Sequence, residues 1–251
     1  MLKVLVRLLF AGGFGLLGAS LWLRDAPPEP AMLRPEVLEA PVQVQVRKPA
    51  FETAVGGVKY RVQPLYTYDL SGVVVSRHSS DSFIDYIHRA RNDNLNVVDL
   101  CVIWGDNVRA DLSQIAFSSG QFQCFWETGS EAAWKAFDQY QISNNHLLTD
   151  KAPVAKRLRD VRVGDQVRFR GYLAEYSHNH GFDFKRGTSI VRTDTGNGAC
   201  ETVFVEDFEN LQPGGGPWRR LFWVALGLLA LGVVAWLVLP AEVDNSDFVR
   251  H

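Results

Sequence analysis

Residues 221–239, LFWVALGLLALGVVAWLVL, contain no charged side chain. A soluble amphipathic helix would carry polar residues at a spacing of about 3.6, and this stretch has no such stripe. Aromatic residues favour the two interfaces of a bilayer. Three tryptophans lie at or near the limits of the stretch and a proline follows it: Trp218, Trp223, Trp236 and Pro240. The stretch therefore predicts a transmembrane helix.

A second apolar run extends from Leu8 to Leu23 and follows Lys3 and Arg7. With the apolar residues before Arg7 it is long enough to cross about 30 Å of hydrocarbon. A cleaved signal peptide is the alternative, since a basic start and a short apolar core also fit that segment. We interpret residues 1–24 as an uncleaved anchor because the apolar run continues past its small residues.

The charges beside the two helices predict the side of the membrane on which the central domain lies. Lys3 and Arg7 favour a cytoplasmic N-terminus, which places residues 25–217 outside and the acidic tail inside. Arg219 and Arg220 oppose that orientation. We give the first helix the greater weight and predict an extracytoplasmic domain, with the cytoplasmic orientation as the alternative.

Composition divides the chain into a membrane-anchored domain with flanking segments. About half of its 11 prolines fall before residue 50, and a Pro-Gly-Gly-Gly-Pro break precedes the second helix. The alternating valines at 42, 44 and 46 predict an edge strand. The predicted segments are a transmembrane anchor at 1–24, a Pro-rich linker at 25–57, a globular domain at 58–211, a hinge and basic flank at 212–220, a transmembrane helix at 221–239 and an acidic tail at 240–251.

The central domain has the pattern of an α+β fold. Residues 97–104, VVDLCVIW, form a nearly continuous apolar run that predicts a central buried strand. Residues 115–126 predict a hairpin around a Ser-Ser-Gly turn, and Ser130 predicts the N-cap of a helix. Further short helices are predicted at 82–91 and 153–160. Strands are predicted at 66–77, 166–176 and 201–208.

The segment VGDQVRFRGYLAEYS, residues 163–177, resembles the GD-x-V-x-x-x-G strand segments common in small β-barrels, including the OB-fold. Gly164 and Asp165 suit a tight turn, and Gly171 suits the bend of a barrel strand. The resemblance implies a mostly antiparallel, barrel-like, OB-like sheet. With two or three short helices and two flanking transmembrane helices, this is the predicted fold.

Overall composition excludes several classes of protein. The 251 residues are 47% hydrophobic and 22% charged, with a net charge of -2 and a pI near 6.3. These values exclude collagen-like, wholly disordered and disulfide-scaffold chains, and they disfavour a dedicated nucleic-acid binder. The three cysteines, Cys101, Cys124 and Cys200, leave one disulfide with a free thiol and three buried thiols as open alternatives.

The predicted strand at 166–176 supplies a candidate binding surface. Alternation places Arg168, Arg170, Tyr172 and Tyr176 on one face, away from Val167 and Phe169. Two arginines and two tyrosines can stack on and neutralise a nucleic-acid strand, a phosphorylated head group or an anionic glycan. The competing interpretation is an ordinary solvated face.

Three histidines are candidate metal ligands. His178 and His180 share one side of an extended segment, and His146 could complete a site for a divalent metal. A solvent-exposed loop explains the same pattern. Asp99 stands inside the buried run, where a carboxylate needs a partner, either as a structural ion pair or as part of a site.

The chain contains no G-x-S-x-G, H-E-x-x-H or P-loop motif. We therefore favour a non-enzymatic, membrane-anchored interaction or ligand-binding module without a cofactor. Its expected partners are the membrane and another envelope or membrane protein, and a homo-oligomer is open. The alternatives are a metal-dependent hydrolase using the three histidines, and a membrane-tethered nucleic-acid or nucleotide sensor if the domain is cytoplasmic.

Overall fold

A computed structural model of the chain describes residues 2–83, 85–196 and 198–238. The predicted acidic tail lies outside these residues. The helices of the described part are α1 (Leu2–Leu23), α2 (Ile87–Ala90), α3 (Glu131–Ala136), α4 (Ala152–Asp160) and α5 (Trp218–Val238). The strands are β1 (Val42–Gln45), β2 (Phe51–Val55), β3 (Val58–Ser79), β4 (Asn96–Ile103), β5 (Ala116–Gly120), β6 (Gln123–Glu127), β7 (Ile142–Leu148), β8 (Gln166–His178), β9 (Phe184–Arg186) and β10 (Glu201–Gln212).

The chain divides into two compact units. One contains α1 and α5, and the other spans Ala26–Gly214. Both α1 and α5 are long and apolar enough to span a membrane. They pack against each other through small residues, since a side chain at Gly13 would meet Leu229 and one at Gly232 would meet Phe10. This close approach is typical of helices that pair in lipid.

The unit Ala26–Gly214 is built on one mixed sheet. Its strand order is β1-β3-β4-β7-β10-β8-β9, with β2 paired to β3. The long strand β3 also pairs with β8, so the hydrogen-bonded path through β4, β7, β10 and β8 returns to β3. The pairs are antiparallel except β7 with β10, which are parallel. The fold is therefore α+β with a mostly antiparallel sheet.

Local signals in the sequence correspond to several elements. The apolar run at 97–104 forms β4, in which every residue is buried. The predicted hairpin forms as β5 and β6, but its turn lies at residues 121–122 and not at the Ser-Ser-Gly sequence, whose three residues pair with β6. Ser130 caps α3 by accepting a hydrogen bond from the Ala133 N–H. The helix predicted at 82–91 is shorter, because the described helix covers only Ile87–Ala90. The segment predicted as a linker contributes both β1 and β2 to the sheet.

Strand β8 connects two apolar clusters. Leu173 packs in the larger one with Phe169, and the next residue, Ala174, packs in a second cluster with Tyr176. The partner strand β3 carries an extra residue, Leu65, at this point of the register. Such a bulge bends the pair and increases its twist. Simple alternation along β8 consequently breaks between Leu173 and Ala174.

Candidate functional site

Neighbouring strands place polar side chains in two adjacent rows. The register aligns His78 of β3, Asp99 of β4, His146 of β7 and Thr202 of β10. Two residues along, it aligns Ser76, Cys101 and Asn144. Residues two apart on a strand share a face, so both rows lie on the same side of the sheet. We call this surface the polar face.

The segment between β4 and β7 covers the polar face with the β5–β6 hairpin. Cys124 of β6 forms a disulfide with Cys101 of β4, with Cα atoms 5.7 Å apart. Ser119 of β5 contacts Ser76 of β3, with 2.7 Å between the hydroxyl oxygens. These two links hold the hairpin on the sheet, and the polar side chains between them are consequently buried.

Asp99 and His146 form a buried ion pair beneath the hairpin. Asp99 Oδ1 lies 2.7 Å from His146 Nδ1, and the two side chains are 0% and 2% exposed. Asn96 Nδ2 donates to Asp99 Oδ1 at 2.9 Å, and the Phe122 N–H donates to Oδ2 at 3.3 Å. Burial disfavours the carboxylate, but the charge and contact of His146 outweigh it and lower the pKa of Asp99 to about 2.

The imidazole of His146 links Asp99 to the free thiol Cys200. Burial by itself would lower the pKa of His146. The Asp99 charge and its 2.7 Å contact with Nδ1 oppose this effect and, with a smaller contribution from Cys200, raise the pKa to about 9. Asn144 Nδ2 donates to Cys200 Sγ at 3.5 Å, and the thiol donates to the Phe122 carbonyl oxygen at 3.5 Å. A thiol, an imidazole and a carboxylate thus lie in series.

A second buried cluster surrounds Asp85. Its Oδ2 lies 2.7 Å from His78 Nε2 and 2.6 Å from His88 Nδ1, and its Oδ1 accepts from the His88 N–H. Burial raises the pKa of Asp85, but these hydrogen bonds prevail and hold it below its ordinary value. The ligand atoms of the three side chains all lie within 4.8 Å of one another. Asn96 connects the clusters, since its Nδ2 also donates to His88 Nε2 at 2.8 Å.

Phe122 lies between the two clusters at the tip of the hairpin. Its φ angle is +66°, in the left-handed region that bulky side chains rarely adopt. Its ring lies 4.4 Å from the His88 ring and 5.7 Å from the His146 ring, and the Arg186 guanidinium lies 3.8 Å from its centre. Strained backbone of this kind concentrates at functional sites.

A cavity of about 390 Å³ opens beside the polar face, between the hairpin and the loop that precedes β10. This volume is within the range of small-molecule sites. The cavity is lined by the aromatic residues Phe122, Phe125 and Trp126, by the polar residues Gln123, Gln139, Ser143, Asn144, Asp194 and Thr195, and by Ile142, Gly196, Gly198, Ala199, the disulfide-bonded Cys124 and the free thiol Cys200. Cys200 therefore faces space that a ligand can enter.

The predicted arginine and tyrosine face is only partly brought together. Arg168 forms a two-point ion pair with Asp69, at 2.9 and 2.6 Å, and Arg170 forms an ion pair with Asp207. Tyr172 accepts a hydrogen bond from Lys48, whose ammonium lies 4.2 Å from the ring centre. Tyr176 lies apart from these three.

Tyr176 is 1% exposed and donates to Asp93 Oδ2 at 2.6 Å. Burial and the Asp93 charge raise its pKa well above the ordinary value. The β3 bulge turns this end of β8 into the second apolar cluster, so Tyr176 does not share the surface of Arg168 and Arg170.

The three predicted metal ligands lie in two places. His146 belongs to the polar face. His178 stands at the end of β8, where its Nε2 donates to the Arg91 carbonyl oxygen at 2.8 Å and its Nδ1 accepts from the His180 N–H at 3.1 Å. Both ring nitrogens of His178 are therefore occupied, whereas His180 is exposed. The use of these histidines as a metal site stays a prediction.

Sequence reasoning identified Asp99 as needing a partner but did not identify the partner. Cys200 and His88 carried no motif that marked them as site residues, whereas Asn144 belongs to the Asn-Asn-His sequence that ends in the candidate ligand His146. The available signal was the spacing of two residues between Asp99 and Cys101 in β4 and between Asn144 and His146 in β7. That spacing indicates a shared face but not the strand opposite.

No protein-family model, curated protein or solved structure matches the chain. The site is therefore interpreted from its own geometry and chemistry.

Proposed function

We propose that the chain is a membrane-anchored ligand-binding module whose ligand occupies the cavity beside the polar face. The observation that carries the proposal is this cavity of about 390 Å³, in which aromatic rings and neutral hydrogen-bonding side chains converge. Small-molecule sites are typically concave surfaces of this composition. Two apolar helices, α1 and α5, would hold the module at the membrane.

The sheet supports an OB-like barrel as the scaffold of this module. The path β3-β4-β7-β10-β8 contains five strands and returns to β3, as closure of a small barrel requires. OB-folds bind ligands on the face of their second and third strands. When the five strands of the closed path are counted in chain order, the second and third are β4 and β7. These two strands carry Asp99, Asn144 and His146. The cavity thus lies where such a barrel would present its ligand.

The cavity lining favours a neutral, hydroxyl-rich ligand, and we propose a carbohydrate. The described lining residues include no lysine or arginine, and their one charged side chain is Asp194. Phosphate-bearing ligands need cationic partners, so this lining disfavours nucleic acid and phosphorylated head groups. Amide and hydroxyl side chains can instead pair with sugar hydroxyls, while Phe125 and Trp126 cover the apolar faces of the rings.

The disulfide supports an extracytoplasmic position for the module. The Cys101–Cys124 bond persists in oxidising compartments and is rare in the cytosol. Lys3 and Arg7 favour the same orientation through the positive-inside rule. Envelope carbohydrates are accessible to a domain on that side of the membrane.

Binding of neutral oligosaccharides to the full chain in detergent tests the proposal. Oligomers of glucose and of N-acetylglucosamine are the probes, and saturation-transfer NMR is the measurement. Replacing both Phe125 and Gln139 by alanine should weaken binding by at least about tenfold, the effect of losing about 1.4 kcal/mol of contacts. The matched control is Phe83→Ala, which removes an exposed aromatic ring outside the cavity lining.

The same assay separates this proposal from binding at the arginine face. Alanine at both Arg168 and Arg170 should leave oligosaccharide binding unchanged, because their guanidinium groups already pair with Asp69 and Asp207. If the Arg168 and Arg170 variant loses oligosaccharide binding and the Phe125 and Gln139 variant retains it, the binding site lies on β8 and not in the cavity. Absence of binding to every probe oligosaccharide would reject a carbohydrate ligand.

A second candidate function is binding of a divalent metal ion at His78, Asp85 and His88. Two imidazole nitrogens and a carboxylate oxygen within 4.8 Å form a donor set suited to zinc. Equilibrium dialysis against zinc should load about one ion per chain, and glutamine at both His78 and His88 should abolish loading. Glutamine at both His178 and His180 should not. Less than about 0.1 zinc per wild-type chain would reject the site.

A further inference from the structure

We propose that Cys200 is a nucleophile, with His146 as its acid–base partner and Asp99 as a positioning residue, and that the three cleave a carboxylic ester of the ligand held in the cavity. The inference rests on the proposed function for the place where the ester binds. It extends that function from binding to acyl transfer.

The arrangement satisfies the geometric requirement for an activated thiol. Such a centre needs a nucleophile in reach of a base, and a third group that orients the base. Cys200 lies two residues before Thr202, which is paired with His146 across β7 and β10, and Asp99 Oδ1 lies 2.7 Å from His146 Nδ1. Asp99 is in turn held by the Asn96 side chain and the Phe122 N–H. Asp99 therefore holds one ring nitrogen of His146 on the face of the sheet that carries the thiol.

Asn144 is an independent indication that a polar ligand group belongs beside the thiol. This side chain is 93% buried, since 7% of it is exposed, and it lines the cavity. Its Nδ2 donates to Cys200 Sγ, whereas its Oδ1 is buried and has no hydrogen-bond partner among the described residues. An unsatisfied buried oxygen is costly, and a ligand hydroxyl in the cavity would satisfy it.

The fold alone does not require a charged pair at this position. Replacing a buried ion pair by packed apolar residues is often neutral or stabilising. Asp99 and His146 nevertheless stand in the middle of β4 and β7, where the neighbouring residues Leu100 and Leu147 are fully buried. A buried charged pair directed at a cavity-lining thiol is the kind of group that is retained for chemistry.

The reaction follows from these positions. In the reacting state the proton of the Cys200 thiol resides on His146. Cys200 Sγ forms a bond to the ester carbonyl carbon, the carbonyl π electrons move to oxygen, and they return when the leaving C–O bond breaks. When the C–O bond breaks, the leaving alkoxide takes a proton from His146, and an acyl thioester remains on Cys200. His146 then removes a proton from water, whose oxygen attacks the thioester carbonyl. The C–S bond breaks, the carboxylic acid leaves and the proton that His146 took from water restores the starting thiol and imidazole, so ester and water become acid and alcohol.

Alkylation of Cys200 tests the thiol without a substrate. Iodoacetamide should alkylate Cys200 in the folded full chain at pH 7, as measured by mass spectrometry. A double variant, Asp99→Asn with His146→Gln, should react at least about tenfold more slowly, because it removes the imidazole that the proposal makes the acid–base partner of the thiol. The matched control, Asp106→Asn, removes a carboxylate that is 85% exposed and should react like wild type.

Hydrolysis of p-nitrophenyl acetate tests the full reaction. Cys200→Ala should abolish the activity of the wild-type chain, and His146→Gln should lower kcat about 100-fold. Asp99→Asn should lower kcat about tenfold or more with KM within about twofold, since a positioning residue acts through His146. Thermal unfolding identifies any variant that fails to fold, and Cys200→Ala leaves the buried pair intact.

The outcomes separate the two proposals. Equal alkylation rates for wild type and a folded double variant would overturn the inference. It would also be overturned if the wild-type chain did not hydrolyse the ester, or if Cys200→Ala left hydrolysis unchanged. Fast, His146-dependent alkylation and Cys200-dependent hydrolysis with no oligosaccharide binding would retain the thiol centre and reject the carbohydrate ligand. Oligosaccharide binding with an unreactive thiol would retain the carbohydrate ligand and reject the thiol centre.

Discussion

Replacing Asp99 by asparagine removes one charge of the buried pair and leaves His146 without its counter-ion. The pKa of His146 is about 9 instead of 6.5, and each pKa unit is worth about 1.36 kcal/mol, so the pair stabilises the folded protonated imidazole by roughly 3 kcal/mol. This agrees with the 3–5 kcal/mol typical of breaking a buried ion pair. We therefore expect Asp99→Asn to lower the free energy of unfolding by about 3 kcal/mol at pH 6.

The sign of the pH dependence follows from both groups. The folded-state pKa of His146 is raised, so its contribution is complete below 6.5 and is lost as the pH rises through about 9. The folded-state pKa of Asp99 is lowered, so its contribution is present above 3.8 and is lost as the pH falls through about 2. The difference in the free energy of unfolding between wild type and Asp99→Asn should thus be largest between pH 3.8 and pH 6.5, the ordinary pKa values of the two groups. It should narrow above pH 9.

Urea unfolding of the full chain in detergent, followed by near-ultraviolet circular dichroism, measures this difference at pH 6 and pH 10. Asp106→Asn is the control, and it should change the free energy of unfolding by less than about 0.5 kcal/mol because its carboxylate is exposed. A loss under about 1 kcal/mol for Asp99→Asn at pH 6, or a loss that does not narrow at pH 10, would refute the ion-pair reasoning.

Two further predictions concern the scaffold. Gly171→Ala should destabilise the domain by at least about 2 kcal/mol in the same urea assay, because its Cβ would overlap the Phe204 carbonyl oxygen, whereas Gly187→Ala has open space and should be nearly neutral. Reducing the Cys101–Cys124 disulfide should lower the free energy of unfolding by about 3 kcal/mol, since the bond closes a loop with a sequence separation of 23. Mass spectrometry after alkylation of the unfolded chain should show one labelled cysteine without reductant and three with it.

Local patterns in the sequence were sufficient for much of the framework. The uncharged run at 221–239 predicts α5 because hydropathy is a property of neighbouring residues alone. The apolar run of β4 and the Ser130 cap are equally local, and both are confirmed. The hairpin at 115–126 also forms, but its turn lies at residues 121–122 and the Ser-Ser-Gly sequence belongs to β5. Extending alternation along β8 placed Tyr176 with Arg168 because it assumed a regular strand pair. The bulge at Leu65 belongs to the paired strand β3, so nothing in the sequence of residues 166–176 predicts it.

The candidate site depends on partners that are distant in sequence. Asn144 and Cys200 are 56 residues apart, and Phe122 and Cys200 are 78 apart. Strand register brings them together, and a slip of one residue would turn each side chain to the opposite face. Register results from hydrogen bonding and packing over the whole sheet, so no local pattern encodes it.

The sequence by itself determined the two apolar helices, the buried character of β4 and the presence of Asp99 within it, because each depends on adjacent residues. Only the tertiary structure decided that His146 faces Asp99, that Cys101 pairs with Cys124 and that Cys200 stays free beside the cavity. These arrangements require several strands and a covering hairpin to meet at one place, and that meeting is a property of the packed sheet as a whole.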